Sequence, residues 1–242
     1  MLAVIALLGA VAFRPPAEAR RKAVVVELFT SEGCSSCPPA DDLLTRLGRE
    51  HTSNGAEIIP LGFHVDYWDY QGWRDRFSSR SFTERQQNYA ARFRLDDPYT
   101  PQMIIDGETQ FVGSDSGHAE SAILHATARQ QNADVQLTWT SANQLGVRVT
   151  AGSSDTAEVR LAITENNLSN NVAAGENDGR ILHHSAVVRD FRLLGKLSQG
   201  KFQKDVPIKL QQEWKMKDLH VVVFVQSAGG GIEGASSVLL SQ

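Results

Sequence analysis

Cys34 and Cys37 are the only cysteines in this 242-residue chain, and they are spaced C-x-x-C. Two thiols that close can form a disulfide and reopen it by exchange: one thiolate attacks a partner disulfide and the second resolves the mixed product. They can also form a permanent staple, or hold a soft metal. A loop this small removes little chain entropy, which weighs against a staple. Their setting favours exchange. Ala23–Phe29 is a β-branched, apolar run that reads as a buried parallel strand. Leu43, Leu44 and Leu47 follow at helical spacing, with Asp41 and Asp42 where a helix N-terminus favours anions. The cysteines therefore fall on a strand-to-helix turn, where unpaired N–H groups and the helix dipole stabilise a thiolate.

The elements that must position this pair follow in order. Glu57–Val65 is a second apolar run of strand length, so strand, helix and strand form a βαβ unit with parallel strands. Its end, His64-Val65-Asp66-Tyr67-Trp68-Asp69-Tyr70, emerges on the same sheet edge as the cysteines, where ligand sites of open α/β sheets collect. Gln71–Asp97 reads as a covering helix. Ser81 is its N-cap, Glu84 completes a capping box, and Phe82, Tyr89 and Phe93 form its apolar face. Asp106-Gly107 predicts a hairpin pairing Met103–Ile105 with Thr109–Val112, and Ser116–Gln130 reads as a closing helix with His118 and His125 partly exposed.

From Asp134 the period changes to two. Residues 135–140, 146–151, 157–164, 182–192, 202–210, 219–226 and 238–240 read as strands without clear intervening helices, which predicts an antiparallel sandwich. Gly229-Gly230-Gly231 reads as a loop without the context of a phosphate cradle. The expected organisation is a signal peptide over 1–19, an α/β domain over 20–131 and an all-β sandwich over 132–242, each half with its own core.

The apolar stretch Met1–Phe13, followed by an A-x-A ending at Ala19, predicts a secretory signal and hence a periplasmic or secreted protein in which disulfides persist. After its cleavage no membrane span is expected. A net charge near −4 gives no electrostatic reason to expect nucleic acid.

The segments VVVELFTSEGCSSCPPAD, HVDYWDY, YTPQMIIDG, Thr164-Glu165-Asn166, Gly175-Glu176-Asn177 and HHSAVVRDF together resemble a bacterial exported family catalogued as domain-of-unknown-function family 1223. The order of elements in the first half also resembles the thioredoxin fold. That likeness implies a thioredoxin-like first domain, with Cys34 the exposed nucleophile, Cys37 the buried resolving thiol and Thr100-Pro101 a cis-proline loop facing them. It further implies that Glu27, on the strand before the cysteines, passes a proton to the resolving thiol; a carboxylate paired with a neighbouring Arg or Lys is the equal alternative. Two departures stand out. Cys34 and Pro101 are 67 residues apart, longer than the plain fold requires, and the dipeptide between the cysteines is Ser35-Ser36, which leaves the direction of redox traffic open.

The C-x-x-C pair thus predicts catalytic roles for Cys34 and Cys37, and the resemblance implies them for Thr100, Pro101 and Glu27. Ser35, Ser36, His64, Asp66, Tyr67 and Trp68 are expected to contact substrate, with protein thiols or disulfides as partners and no cofactor. The alternatives are a copper carrier using both thiolates and His64, and a binding protein with a structural disulfide. Glu32 reads as solvated. His183, His184, Glu165, Glu176 and Asp178 match no recognised metal spacing and read as a polar cluster where the two halves meet, with Arg189 placed to pair with one of the acids.

Overall fold

The computed structural model describes residues 22–50, 55–70, 72–152 and 156–240. The expected signal peptide, residues 1–19, lies outside them. In chain order the elements are β1 (Ala23–Thr30), α1 (Pro38–Leu47), β2 (Glu57–His64), α2 (Arg80–Phe93), β3 (Gln102–Ile105), β4 (Thr109–Val112), α3 (Ser116–Ala128), β5 (Ala133–Ser141), β6 (Gln144–Ala151), β7 (Glu158–Glu165), β8 (Leu168–Asn171), β9 (Ile181–His184), β10 (Val187–Lys196), β11 (Lys201–Pro207), β12 (Leu219–Gln226) and β13 (Ile232–Leu239). The fold is mixed α/β, dominated by one eight-stranded sheet of order β13-β12-β7-β10-β2-β1-β3-β4.

β1 is buried along its whole length, as its unbroken apolar run requires, and pairs parallel with β2 on one side and antiparallel with β3 on the other. Its side chains alternate between two cores. Val24, Val26 and Leu28 meet α1 and α3, whereas Val25 and Phe29 meet Phe82 and Tyr89 of α2. Serine caps α2 two residues earlier than the sequence suggests: Ser79, not Ser81, is extended and accepts from the Ser81 N–H. The Ser79 N–H in turn donates to His64 O, which ties the helix start to the end of β2. The β3–β4 hairpin forms as expected, around Asp106 and Gly107 at φ 46° and 65°. A Cβ on Gly107 would lie 2.1 Å from Gly230 O, so only glycine fits there.

The second half departs from the expected self-contained sandwich. β5, β6 and β11 form a separate three-stranded sheet and β8 pairs with β9, but β7, β10, β12 and β13 extend the first sheet. They join where Val187 of β10 pairs parallel with Gly62 of β2 and the Gly62 N–H donates to Ala186 O. The sheet therefore crosses the boundary expected near residue 131. The physical reason is the free edge of β2, which an unpaired backbone would leave exposed and which β10 covers. The cores merge accordingly: Phe29 and Phe63 pack in one cluster with Ala162, Val188, Val222 and Phe224 from the second half. Each such aromatic contributes about 1.5–3 kcal/mol by burial. The three-stranded sheet packs on the other side chains of β7 and β12, from Leu145, Val147 and Val149 onto Leu161, Ile163, Val221 and Val223. The strand expected over 182–192 is broken at Ala186, whose φ of 53° turns the chain out of β9 into β10.

Candidate functional site

Cys34 and Cys37 are joined as a disulfide, with Cα atoms 5.4 Å apart. Cys37 is the N-cap of α1, and its carbonyl accepts from the N–H groups of Ala40 and Asp41 at 2.8 and 3.1 Å. A thiolate released at this helix start would face the positive end of the dipole. Ser35 and Ser36 are exposed, and Ser36 Oγ lies 3.4 Å from Cys34 Sγ.

The exposed nucleophile expected from the resemblance is not found. Cys34 is 1% exposed and Cys37 0%. The segment between β8 and β9 is hydrogen-bonded to the main chain of this loop. Asn177, itself fully buried, donates from Nδ2 to the carbonyls of Glu32 and Cys34, each at 2.9 Å. Glu176 Oε2 accepts from the Ser35 N–H at 3.1 Å. Arg180 donates to Asn177 Oδ1 at 2.7 Å, which fixes the direction of that amide. Of the polar cluster of the second half, Glu176 and His184 meet the first half, at Ser35 and Glu32, whereas Glu165 faces Arg189 and the Lys215 N–H, and His183 and Asp178 are exposed.

Behind that loop lies a group of buried ionisable side chains. Glu32, expected to be solvated, is 0% exposed. It accepts from Trp73 Nε1 and Asn170 Nδ2 at 2.9 Å each and lies 3.2 Å from His184 Nε2. His184 Nδ1 is 4.0 Å from Asp41 Oδ2, and the His184 ring meets that of His64 edge-on with centroids 4.8 Å apart. His64 Nδ1 is 2.6 Å from Asp75 Oδ2, and Asp75 also accepts from the Glu32 N–H at 2.9 Å. Burial pulls the His64 imidazolium down, but the Asp75 carboxylate outweighs it and holds His64 above the ordinary histidine value. Burial would raise Asp75, yet His64 beside it keeps it below the usual carboxylate range. Burial pushes Asp41 up to about 7, opposed in part by His184. Asp41 stands four residues after Cys37 on α1, so the two share a helix face.

The remaining residues divide by where the fold puts them. The Thr100–Pro101 peptide is cis. Trp68 Nε1 donates to Thr100 Oγ1 at 2.8 Å, and a Cβ on Gly33 would lie 3.0 Å from Trp68 Cβ, so Trp68 bridges the cysteine loop and the proline loop. Tyr67 donates to Gln86 at 3.1 Å; burial first, eased by its hydrogen bonds, carries its hydroxyl up to about 12. Asp66 accepts from Thr83 Oγ1 and anchors the first turn of α2. Glu27 is not brought to the cysteines. It shares a face with Val25 and Phe29, away from α1, and Arg85 grips it at 2.6 and 2.9 Å while Tyr89 donates to it at 2.7 Å. Of its two expected roles, the paired carboxylate is the one observed. His118 and His125 are exposed on α3, and Arg189 lies 3.4 Å from Glu165.

Among the described residues no group of three His, Cys, Asp or Glu is arranged to hold a metal, and the Nδ1 of His64 is engaged by Asp75. Nor is any helix among them long and apolar enough to cross a membrane. The sequence reading missed Asp75 and Asn177 as site residues. The available signal for Asn177 was its place in the Gly175-Glu176-Asn177 segment that carries the family resemblance.

The family model for a protein of unknown function, DUF1223, matches residues 25–226, and the chain belongs to that family. It is similar to the X-ray crystal structure of a structural-genomics protein from Agrobacterium tumefaciens, at 28% identity over 93% of this chain and 97% of that one, with a TM-score of 0.73. A Bacteroides fragilis structure shares 13% identity over 45% of this chain and 16% of that one, and its TM-score of 0.18 carries no argument. No curated protein matches.

Proposed function

We propose that this DUF1223 member is an exported, thioredoxin-like thiol–disulfide oxidoreductase that acts on protein thiols and disulfides in the periplasm or outside the cell. The observation that carries the reading is the Cys34–Cys37 disulfide at the first turn of α1, backed by buried ionisable groups. A buried staple needs no such groups, whose burial is costly. In the reduced protein the Cys34 thiolate attacks one sulfur of a partner disulfide, breaking that bond and releasing a partner thiolate. Cys37, as thiolate, then attacks Cys34 of the mixed disulfide and releases the second partner thiolate. Two electrons pass to the partner, and Cys34–Cys37 closes. Asp41, one turn beyond Cys37 and near 7, is the group suited to take the Cys37 proton.

Because Cys34 is covered, exchange requires the 172–180 segment to lift away from Glu32, Cys34 and Ser35. In this reading the first half, 20–131, supplies the redox pair and the second half controls access to it. The test is a trapping experiment with the full chain. Cys37→Ser should accumulate a mixed disulfide through Cys34 when mixed with a disulfide-bonded peptide, and Cys34→Ser should accumulate none. No adduct with either variant rejects the reading. The burial of both sulfurs favours one rival, a permanently closed disulfide in a binding protein.

A further inference from the structure

A cavity of about 670 Å³ opens between α2, the ends of β7 and β10, and the glycine turn 227–231 that joins β12 to β13. It shares no residue with the cysteine site. Its volume is that of a small-molecule pocket. Among the described residues five cations line it, Arg85, Arg92, Arg160, Arg192 and Lys196, against the two carboxylates Glu84 and Glu158.

Local pairing decides what this charge can do. Arg85 is neutralised from below by Glu27, Arg160 by Glu158, and Arg192 by Asp190 at 3.3 Å; Glu84 is held by Arg80. Arg92 donates to the Gly107 carbonyl, and neither it nor Lys196 has a carboxylate partner among the described residues. Among the described residues two positive charges, one from α2 and one from β10, are therefore left without a carboxylate partner, on a chain of net charge −4. The turn backbone comes close as well. A Cβ on Gly230, at φ 85°, would lie 2.6 Å from Arg92 Nη1, so glycine keeps this wall open beside the guanidinium.

We infer that this cavity binds a small organic dianion, a dicarboxylate or a phosphate monoester, whose two charges match Arg92 and Lys196. The inference is independent of the redox reading.

Calorimetric titration of the full chain at low ionic strength tests it, with succinate and glycerol 3-phosphate as the dianion probes and acetate as the monoanion. At least one dianion should bind saturably at one per chain, acetate should bind at least about tenfold more weakly, and the dianion that binds tells carboxylate from phosphate. Lys196→Glu should weaken that binding by about tenfold or more, and Lys201→Glu, an exposed lysine outside the cavity, by less than about twofold. Both lysines are exposed, and unchanged melting temperatures will show that the variants fold. If neither dianion saturates, or if Lys196→Glu loses no more than Lys201→Glu, the inference is overturned.

Discussion

Asn177 holds Cys34 by the main chain: one side-chain amide nitrogen donates to the Cys34 carbonyl and to that of Glu32, 2.9 Å from each, across 143 and 145 residues of sequence. A second-half residue thereby ties down the loop that carries the disulfide. Removing the amide leaves two buried carbonyls without this donor, at about 1 kcal/mol for each lost hydrogen bond. Asn177→Ala should therefore lower stability by about 2 kcal/mol and speed reduction of the disulfide by dithiothreitol about tenfold, followed as free thiol released with time. An unchanged reduction rate would show that the segment does not control access.

The buried acids set a pH dependence. Asp41 and Asp106 are both pushed by burial to about 7, so in the folded chain they keep protons that the unfolded chain gives up near 4. The folded state thus binds more protons between about 4 and 7, and stability falls as pH rises through that window. His64, held above its usual value, acts in the same direction, since its stabilisation is lost as pH rises through its folded value. Asp75, held low, keeps its stabilisation throughout that window and loses it only as pH falls below about 4, so it adds nothing to the slope there. The melting temperature should drop from pH 5 to pH 8, and Asp41→Asn should flatten part of the drop. A melting temperature that climbs over this range, or an unaltered slope in the variant, would refute the assignment.

Glu27 and Arg85 form a buried pair, with side chains 0% and 7% exposed, on the sheet face away from α1. Arg85→Met strands the carboxylate and should cost about 3–5 kcal/mol in chemical denaturation. Glu27→Gln should destabilise as well, yet leave the exchange rate of the folded protein unchanged, whereas Asp41→Asn should slow it. Slowing by Glu27→Gln equal to that by Asp41→Asn would return the proton-transfer role to Glu27.

The local parts of this arrangement are legible in the chain. The run Val24–Phe29, the leucines of α1 and the Asp106-Gly107 turn each encode their structure within a few residues, and the hairpin register follows. What is not legible is which sheet a period-two strand joins, because alternation fixes faces and not neighbours. So β10 reads from its sequence as part of a separate sandwich and instead covers the edge of β2. The same limit hid the role of Glu32. It sits in a polar turn that reads as solvated, while its partners Trp73, Asn170 and His184 lie 41, 138 and 152 residues away. Arg85 was similarly invisible as the partner of Glu27, 58 residues before it.

The proposal rests on a disulfide that opens and closes in use, and the equilibrium reduction potential of Cys34–Cys37 addresses that directly. Equilibrating the full chain against glutathione or dithiothreitol buffers and counting thiols by mass gives the value. Exchange chemistry requires a potential in the range of about −120 to −270 mV. A potential below about −300 mV, where structural disulfides resist the glutathione pool, would contradict it and mark the pair as a permanent staple.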